Sequence, residues 1–209
     1  FPYWRYDRSK IKATGLRIKE WDYYAVISHA DGFGVTVTYS DLGYAGLYAL
    51  CWVDLASGTF AQADRLVPLT RHKSGLSEHP AIGTVATRHR ELSLEITAHG
   101  EERRLAFSAP ELALPNGECG LEGEITLTFP AEHESVNIAT SWAEKRTAFY
   151  YNRKVNCLAA RGTGRIGSRA WAMYPGDSFG CLDWGRGRWT YNNTWYWASV
   201  SGKLEGVPL

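Results

Sequence analysis

Alternating apolar and polar positions recur along most of the chain, and this two-residue period predicts β-strands rather than helices. The first clear run, Tyr23–Ser28, places its odd-numbered residues on one face and its even-numbered residues on the other. Asp31–Gly32 then supplies residues that favour a tight hairpin turn, and Gly34–Tyr39 follows as the returning strand. The run Tyr44–Asp54 has few polar positions, which predicts a strand buried on both faces.

Similar signals continue to the C-terminus, separated by polar stretches rich in Gly and Pro at 70–80 and 110–120. No stretch has convincing helical periodicity, and no fixed-period repeat or linker divides the chain. About a dozen short strands joined by turns predict an all-β fold, an antiparallel barrel or sandwich with little helix. We expect one β domain over residues 1–209. The further predicted strands are 60–69, 84–90, 92–96, 104–107, 122–129, 136–142, 148–158, 161–167, 178–182 and 195–201.

Aromatic residues are unusually frequent: the chain has 9 Trp, 12 Tyr and 7 Phe against a single Met. Large rings favour strands and also line ligand cavities. Lys and Arg number 23 and Asp and Glu 22, a net charge of +1. This balance gives no reason to expect nucleic acid as a partner, because such binding depends on a basic surface. No apolar run approaches the roughly 18 residues of a transmembrane helix.

The cysteines Cys51, Cys119, Cys157 and Cys181 lie far apart in the sequence. Zinc sites usually use closely spaced ligand pairs, and the six His are also scattered, so we expect buried free thiols and no metal or other cofactor. The chain begins with Phe1 rather than Met, which indicates a piece of a longer polypeptide. We assign it to the cytoplasm, and the oligomeric state stays open.

The densest group of unusual residues is Leu182–Gly187. Extended geometry places Asp183 on the face opposite Leu182 and Trp184. We expect Gly185 and Gly187, which flank Arg186, to break the strand. We also expect Arg186 to form a bidentate pair with Asp183. In a dry cavity Asp183 would act as a general acid, with Arg186 orienting it. The alternative is a salt bridge that only pins a corner of the fold.

Two neighbouring segments supply candidate ligand-binding residues. Trp195, Trp197 and Ser199 share one face of a predicted strand and suit a pocket with an apolar floor and a polar rim, beside Trp184. Core packing of the rings is the alternative. Tyr150, Asn152 and Lys154 also share a face, which lines either a polar lumen or the solvated exterior.

Several of these motifs resemble a bacterial family catalogued as domain of unknown function 2804. The resemblance covers essentially the whole chain, and the family name implies no activity. The motifs are Lys19–Tyr24, Asp41–Gly46, Trp142–Arg146, Asn156–Leu158, Leu182–Gly187 and Trp195–Ser199.

A weaker resemblance connects Asp183, Trp184 and Gly185 with the lipocalin-like hydroxyneurosporene synthase (carotenoid hydratase) and AttH group. The His of that group's Asp-His-x-Trp-Gly signature has no counterpart in this chain. The resemblance implies a large antiparallel calycin-type β fold with an aromatic cavity and an acid at its mouth.

Three functions fit these observations. The first is an enzyme, such as a hydratase, isomerase or cyclase, acting on an apolar or amphiphilic small molecule with Asp183 as its acid. The second is a non-catalytic carrier that uses the same cavity. The third is a carbohydrate-active protein in which Asp183 and Glu144 form an acid/base pair. We favour a small-molecule pocket, without deciding between catalysis and carriage.

Overall fold

Nearly all regular structure in the computed structural model is antiparallel β-sheet. The model describes residues 5–129, 133–190 and 192–208, so the opening segment Phe1–Trp4 lies outside it. Two short 3₁₀ helices, Arg8–Lys10 and Gly15–Arg17, precede the first strand. The strands are β1 (Ile18–Ser28), β2 (Phe33–Asp41), β3 (Ala45–Asp54), β4 (Phe60–Pro68), β5 (Ile82–Arg88), β6 (Ser93–His99), β7 (Glu102–Ala113), β8 (Cys119–Thr128), β9 (Val136–Ser141), β10 (Phe149–Ile166), β11 (Arg169–Met173), β12 (Ser178–Arg188), β13 (Lys203–Leu204) and β14 (Val207–Pro208).

The first twelve strands form one sheet, and β13 and β14 form a separate small hairpin. The order in the sheet is β4-β3-β2-β1-β12-β10-β8-β7-β6-β5, with β9 and β11 also paired to β10. Most neighbours are consecutive hairpins, but β12 inserts between β1 and β10. The strand that carries Asp183 therefore lies at the centre of the sheet and has a hydrogen-bonded neighbour on each side.

The all-β prediction is confirmed, and so is the first hairpin, in which Gly32 takes a positive φ of 65° between β1 and β2. Other bounds differ from the prediction. The two strands expected at 148–158 and 161–167 are one strand, β10, because a bulge after Val155 restores pairing instead of ending it. Residues 110–113 continue β7 where a loop was expected, and 195–201 form no strand.

The core lies on the inner face of the curled sheet. Even-numbered residues of β1, such as Tyr24 and Val26, belong to it. Curling brings distant strands together, since the Tyr39 hydroxyl on β2 lies 3.1 Å from the carbonyl oxygen of Ala86 on β5. Aromatic rings pack against one another inside the curled sheet. Phe33 stacks on Trp52 with 4.3 Å between the ring centroids, and Trp171 stacks on Phe107 with 6.1 Å between the centroids. Burial of such rings is the main source of stability for this fold.

Candidate functional site

Asp183 lies on the outer face of β12, where nitrogen donors from both neighbouring strands surround its carboxylate. Trp21 of β1 donates from Nε1 to Oδ1 at 3.1 Å, and Asn152 of β10 donates from Nδ2 to the same oxygen at 2.5 Å. The Lys154 ammonium forms an ion pair with Oδ2. The residue is only 7% exposed. Burial of a carboxylate is tolerated when it is paired and hydrogen-bonded in this way.

Strand register explains why these groups meet. Tyr23 and Lys154 flank Asp183 directly on the two neighbouring strands, and Trp21 and Asn152 flank Gly185 in the same way. Residues two apart on a strand share a face, so all of these side chains project to the outer side.

The glycines beside Asp183 have a different role from the one expected. They do not break the strand, since β12 continues to Arg188. Instead they permit close approach: a Cβ at Gly185 would lie 2.1 Å from the Trp21 ring, and one at Gly187 would lie 2.4 Å from the Phe149 carbonyl oxygen. Gly185 thus makes the space in which the Trp21 indole lies over the sheet and reaches Asp183.

The expected pair between Asp183 and Arg186 does not form. Because the strand continues, residues three apart point to opposite faces, and Arg186 is fully buried on the inner face. Its Nη2 lies 2.9 Å from Asp22 Oδ1, and its Nη1 donates to the Trp21 carbonyl oxygen at 2.7 Å. Two further hydrogen bonds reach the Ser77 carbonyl oxygen.

Trp184 is also on the inner face and is 1% exposed. Its ring packs edge-on against Tyr6 and Tyr151, and the Arg186 guanidinium lies 4.3 Å from its ring centroid. Trp184 therefore belongs to the core, which was the alternative weighed for the Trp residues, and it does not line a pocket with Asp183.

Residues 189–190 and 192–208 follow β12 and lie against the outer face, and we call them the C-terminal arm. Residues 192–202 of the arm have no regular secondary structure. Aromatic contacts hold the arm against the sheet. The ring centroids of Trp189 and Trp195 lie 4.6 Å apart, and the centroid of Tyr150 of β10 lies 5.0 Å from that of Trp195. Trp21 joins the same cluster, 5.4 Å from Trp189.

The alternation predicted for the arm holds although no strand forms. Trp197 packs edge-on against Tyr23 at 5.8 Å, with the Lys154 ammonium 5.7 Å from its ring centroid. Ser199 donates to Asn156 Oδ1 at 2.8 Å, whereas the intervening Tyr196 is 96% exposed. Alternate side chains of the arm thus contact the sheet through ring, ammonium and hydroxyl contacts.

A groove of about 720 Å³ runs between the arm and the sheet, and we call it the arm groove. Its volume lies within the range of small-molecule sites, about 300–1,000 Å³. Apolar groups from the arm and the sheet form much of its wall, and the polar members are His133, Glu134, Ser135, Lys154, Asn156 and Ser199. The apolar and sulfur-bearing members include Val136, Cys157, Cys181, Trp197 and Val207.

The surroundings of the groove shift the titration of nearby groups. Burial and the charge of Asp183 raise the pKa of Tyr150, and burial raises the pKa of Tyr23 to about 12. Burial also raises the pKa of the Cys181 thiol. These groups are therefore protonated at neutral pH and act as neutral hydrogen-bonding or packing groups.

The structure thus brings Asp183, Tyr150, Asn152, Lys154, Trp195, Trp197 and Ser199 together on one face, and leaves Arg186 and Trp184 on the other. Trp21 was not among the predicted site residues, although the alternation of β1 places it on the face of Tyr23. Within the described ranges, no three side chains of His, Cys, Asp or Glu are grouped so as to hold a metal ion.

A second polar cluster, not anticipated, occupies the inner face at one end of the sheet. Glu20 is fully buried and accepts from Arg8 Nε at 2.9 Å, while His72 Nδ1 lies 3.0 Å from its other oxygen. His72 Nε2 lies 2.6 Å from the Gly15 carbonyl oxygen. Asp41, also fully buried, accepts from Thr70 and Ser74. These contacts bind the N-terminal segment and the 70–80 loop to the sheet.

Comparisons with known proteins identify no function. No curated protein matches the sequence. Among solved structures, the crystal structure of CghA with Sch210972 is similar at 14% identity and a TM-score of 0.48, over 81% of this chain. The chain spans 45% of that protein's length. No helix in the part of the chain that the structure describes is long and apolar enough to cross a membrane.

The family assignment rests on the full length of the sequence. The motifs around Asp183 and Trp195 already indicated it, and the resemblance to the hydroxyneurosporene synthase group stays a prediction. The family model covers residues 1–209, so the chain belongs to the family of the domain of unknown function DUF2804.

Proposed function

We propose that this chain binds an apolar or amphiphilic small molecule in the arm groove. The observation that carries the proposal is the groove of about 720 Å³ itself, whose wall combines a half-exposed indole, Trp197, with the ion-paired ammonium of Lys154. Mostly apolar walls with a few fixed polar groups are typical of small-molecule sites.

The polar groups disfavour an anionic ligand, since Glu134 also lines the groove. Lys154 is already neutralised by Asp183, and Ser199 and Asn156 are already joined to each other. An anionic ligand would have to compete with Asp183 for the ammonium, whereas a neutral group can hydrogen-bond to the exposed side of these residues. A flat molecule fits the free area of the Trp197 ring, because stacking on an indole needs an open face.

The contacts of Asp183 favour a positioning role over proton donation. Both carboxylate oxygens already accept from nitrogen donors, so a proton on either oxygen would displace Trp21, Asn152 or Lys154. We therefore favour binding over acid-catalysed hydratase, isomerase or cyclase chemistry. Glu144, the partner considered for carbohydrate chemistry, is exposed in the loop between β9 and β10 and is not among these contacts.

Binding can be measured with Nile red, a neutral and flat fluorescent probe. Its Kd is expected to rise roughly tenfold in Trp197→Ala, equivalent to about 1.4 kcal/mol, because the variant removes the aromatic wall. Tyr196→Ala is the matched control: the neighbouring ring on the same arm is 96% exposed and points away from the groove. Equal affinity of Trp197→Ala and Tyr196→Ala for Nile red would overturn the proposal. So would the absence of saturable Nile red binding in both the parent and Tyr196→Ala.

A further inference from the structure

Two cysteines face each other across the centre of the sheet, in the wall of the arm groove. In the pairing of β10 with β12, Val155 lies opposite Leu182 and Leu158 lies opposite Gly180. Between these pairs, β10 has Asn156 and Cys157 where β12 has only Cys181. This is the arrangement of a β-bulge, in which two residues share one partner.

The register places the Cα atoms of the two cysteines close enough for a disulfide. Facing residues of antiparallel strands have Cα atoms about 4.5–5.5 Å apart. A disulfide requires a Cα separation of about 4.4–6.8 Å. Both cysteines are unbridged, and both contribute to the wall of the arm groove.

The backbone at Cys157 adds an independent indication. Its φ is 56°, a left-handed conformation that glycine usually occupies. The other non-glycine residues with positive φ in the described ranges (Leu69, Arg71, His72 and Glu205) all lie outside the strands. A strained residue held inside a strand at a bulge is typical of functional positions, where the bulge directs a side chain.

We propose that Cys157 and Cys181 form a redox pair that a hydroperoxide converts into a cross-strand disulfide. The Cys157 thiolate attacks the peroxide, the O–O bond breaks, and Cys157 becomes a sulfenic acid as an alcohol, or water, leaves. Cys181 then attacks the Cys157 sulfur, so that the S–S bond forms, the S–O bond breaks and water leaves. The two thiols lose two electrons, which the peroxide gains.

The surroundings set the order of the two steps. Burial raises the pKa of the Cys181 thiol, which makes its thiolate scarce, so Cys181 is assigned the second step. This redox step does not require that the groove also bind a ligand.

The test is peptide mapping without reduction after treatment of the reduced full-length chain with hydrogen peroxide. Cys119→Ser serves as the background, because Cys119 is exposed and would otherwise link separate molecules. We expect a dominant cross-link between the peptides containing Cys157 and Cys181, and its loss in Cys157→Ser and in Cys181→Ser. Oxidation of single cysteines to sulfinic acid without a cross-link, or disulfides without preference for this pair, would overturn the proposal.

Cys51 provides a matched control on the same face of the sheet. The register runs from Cys51 through Thr36 and Ala25 to Cys181, three strand spacings or about 14 Å. Cys51→Ser should keep the cross-link. A second readout needs no variant: phenylarsine oxide, which binds paired thiols, should bind the reduced chain and fail to bind after oxidation. Unchanged binding after oxidation would contradict the assignment.

Discussion

At the scale of single residues, the ion pair between Asp183 and Lys154 shows how a charge is held in a β-sheet. If Lys154 is substituted, Asp183 still has two neutral donors, Asn152 and Trp21. If Asp183 is substituted, Lys154 loses its carboxylate partner. The Lys154 side chain is 24% exposed, so water screens part of the interaction.

We therefore expect Asp183→Asn to destabilise the fold by about 1–3 kcal/mol, since it leaves an ammonium unpaired and an amide facing two donors. Adding Lys154→Met should recover part of this loss, with a coupling of roughly 1 kcal/mol. Urea denaturation of the parent, both single variants and the double variant measures that coupling. Strictly additive effects would mean that the pair contributes nothing beyond its separate members.

Sequence could predict part of this site and not the rest, for a physical reason. Strand alternation correctly separated Asp183 from Trp184. It could not show that Gly185 and Gly187 continue the strand, because glycine is favoured both at turns and at close approaches. The wrong interpretation of the glycines led directly to the wrong partner, Arg186.

At the scale of elements, the glycines of β12 let side chains of the neighbouring strands pack closely on it. The Trp21 indole can lie flat over the strand only because Gly185 has no side chain. The arm shows the complementary case: its alternating rings are typical of a strand, but β12 already has β1 and β10 as neighbours. The residues that follow β12 can therefore contact this part of the sheet only through its outer face.

Gly185→Ala should cost about 1–3 kcal/mol, because the new methyl group must displace the indole and with it the hydrogen bond to Asp183. Gly202→Ala is the matched control, since a Cβ there meets nothing within 4 Å. Thermal unfolding of the two variants measures the effect. Comparable stability of the two variants would mean that the indole has room to move aside.

At the scale of the whole molecule, His72 connects parts of the chain that are far apart in sequence. Both of its ring nitrogens face oxygen acceptors, Glu20 on β1 and the Gly15 carbonyl oxygen, with the Asp41 carboxylate 3.7 Å from Nδ1. Only the protonated ring can donate to both acceptors. Burial lowers the pKa of His72, but the hydrogen bonds to Glu20 and Gly15 outweigh this and raise it.

Because the pKa of His72 is higher in the folded than in the unfolded state, protonation of His72 stabilises the fold. This contribution is fully present below the unfolded pKa of about 6.5, and it is lost as the pH rises through the pKa of the folded state. The stability advantage of the parent over His72→Gln should therefore shrink as the pH rises above about 6.5. Urea denaturation at a series of pH values measures this difference. A constant difference across the series would show that the imidazolium is not the form that the fold selects.

The position of β12 also determines the order of events in folding. The hairpins from β1 to β4 can form as soon as they are synthesised, because their partners are consecutive in the chain. One edge of β1 is paired only when Ser178–Arg188 has been synthesised, after β2 to β11. Closing such long-range pairings is slow and leaves a strand edge open to other chains. The centre of the sheet is thus the last part of it to assemble. A chain interrupted before β12 would leave one edge of β1 and one edge of β10 unpaired, and these are the edges that β12 covers in the folded protein.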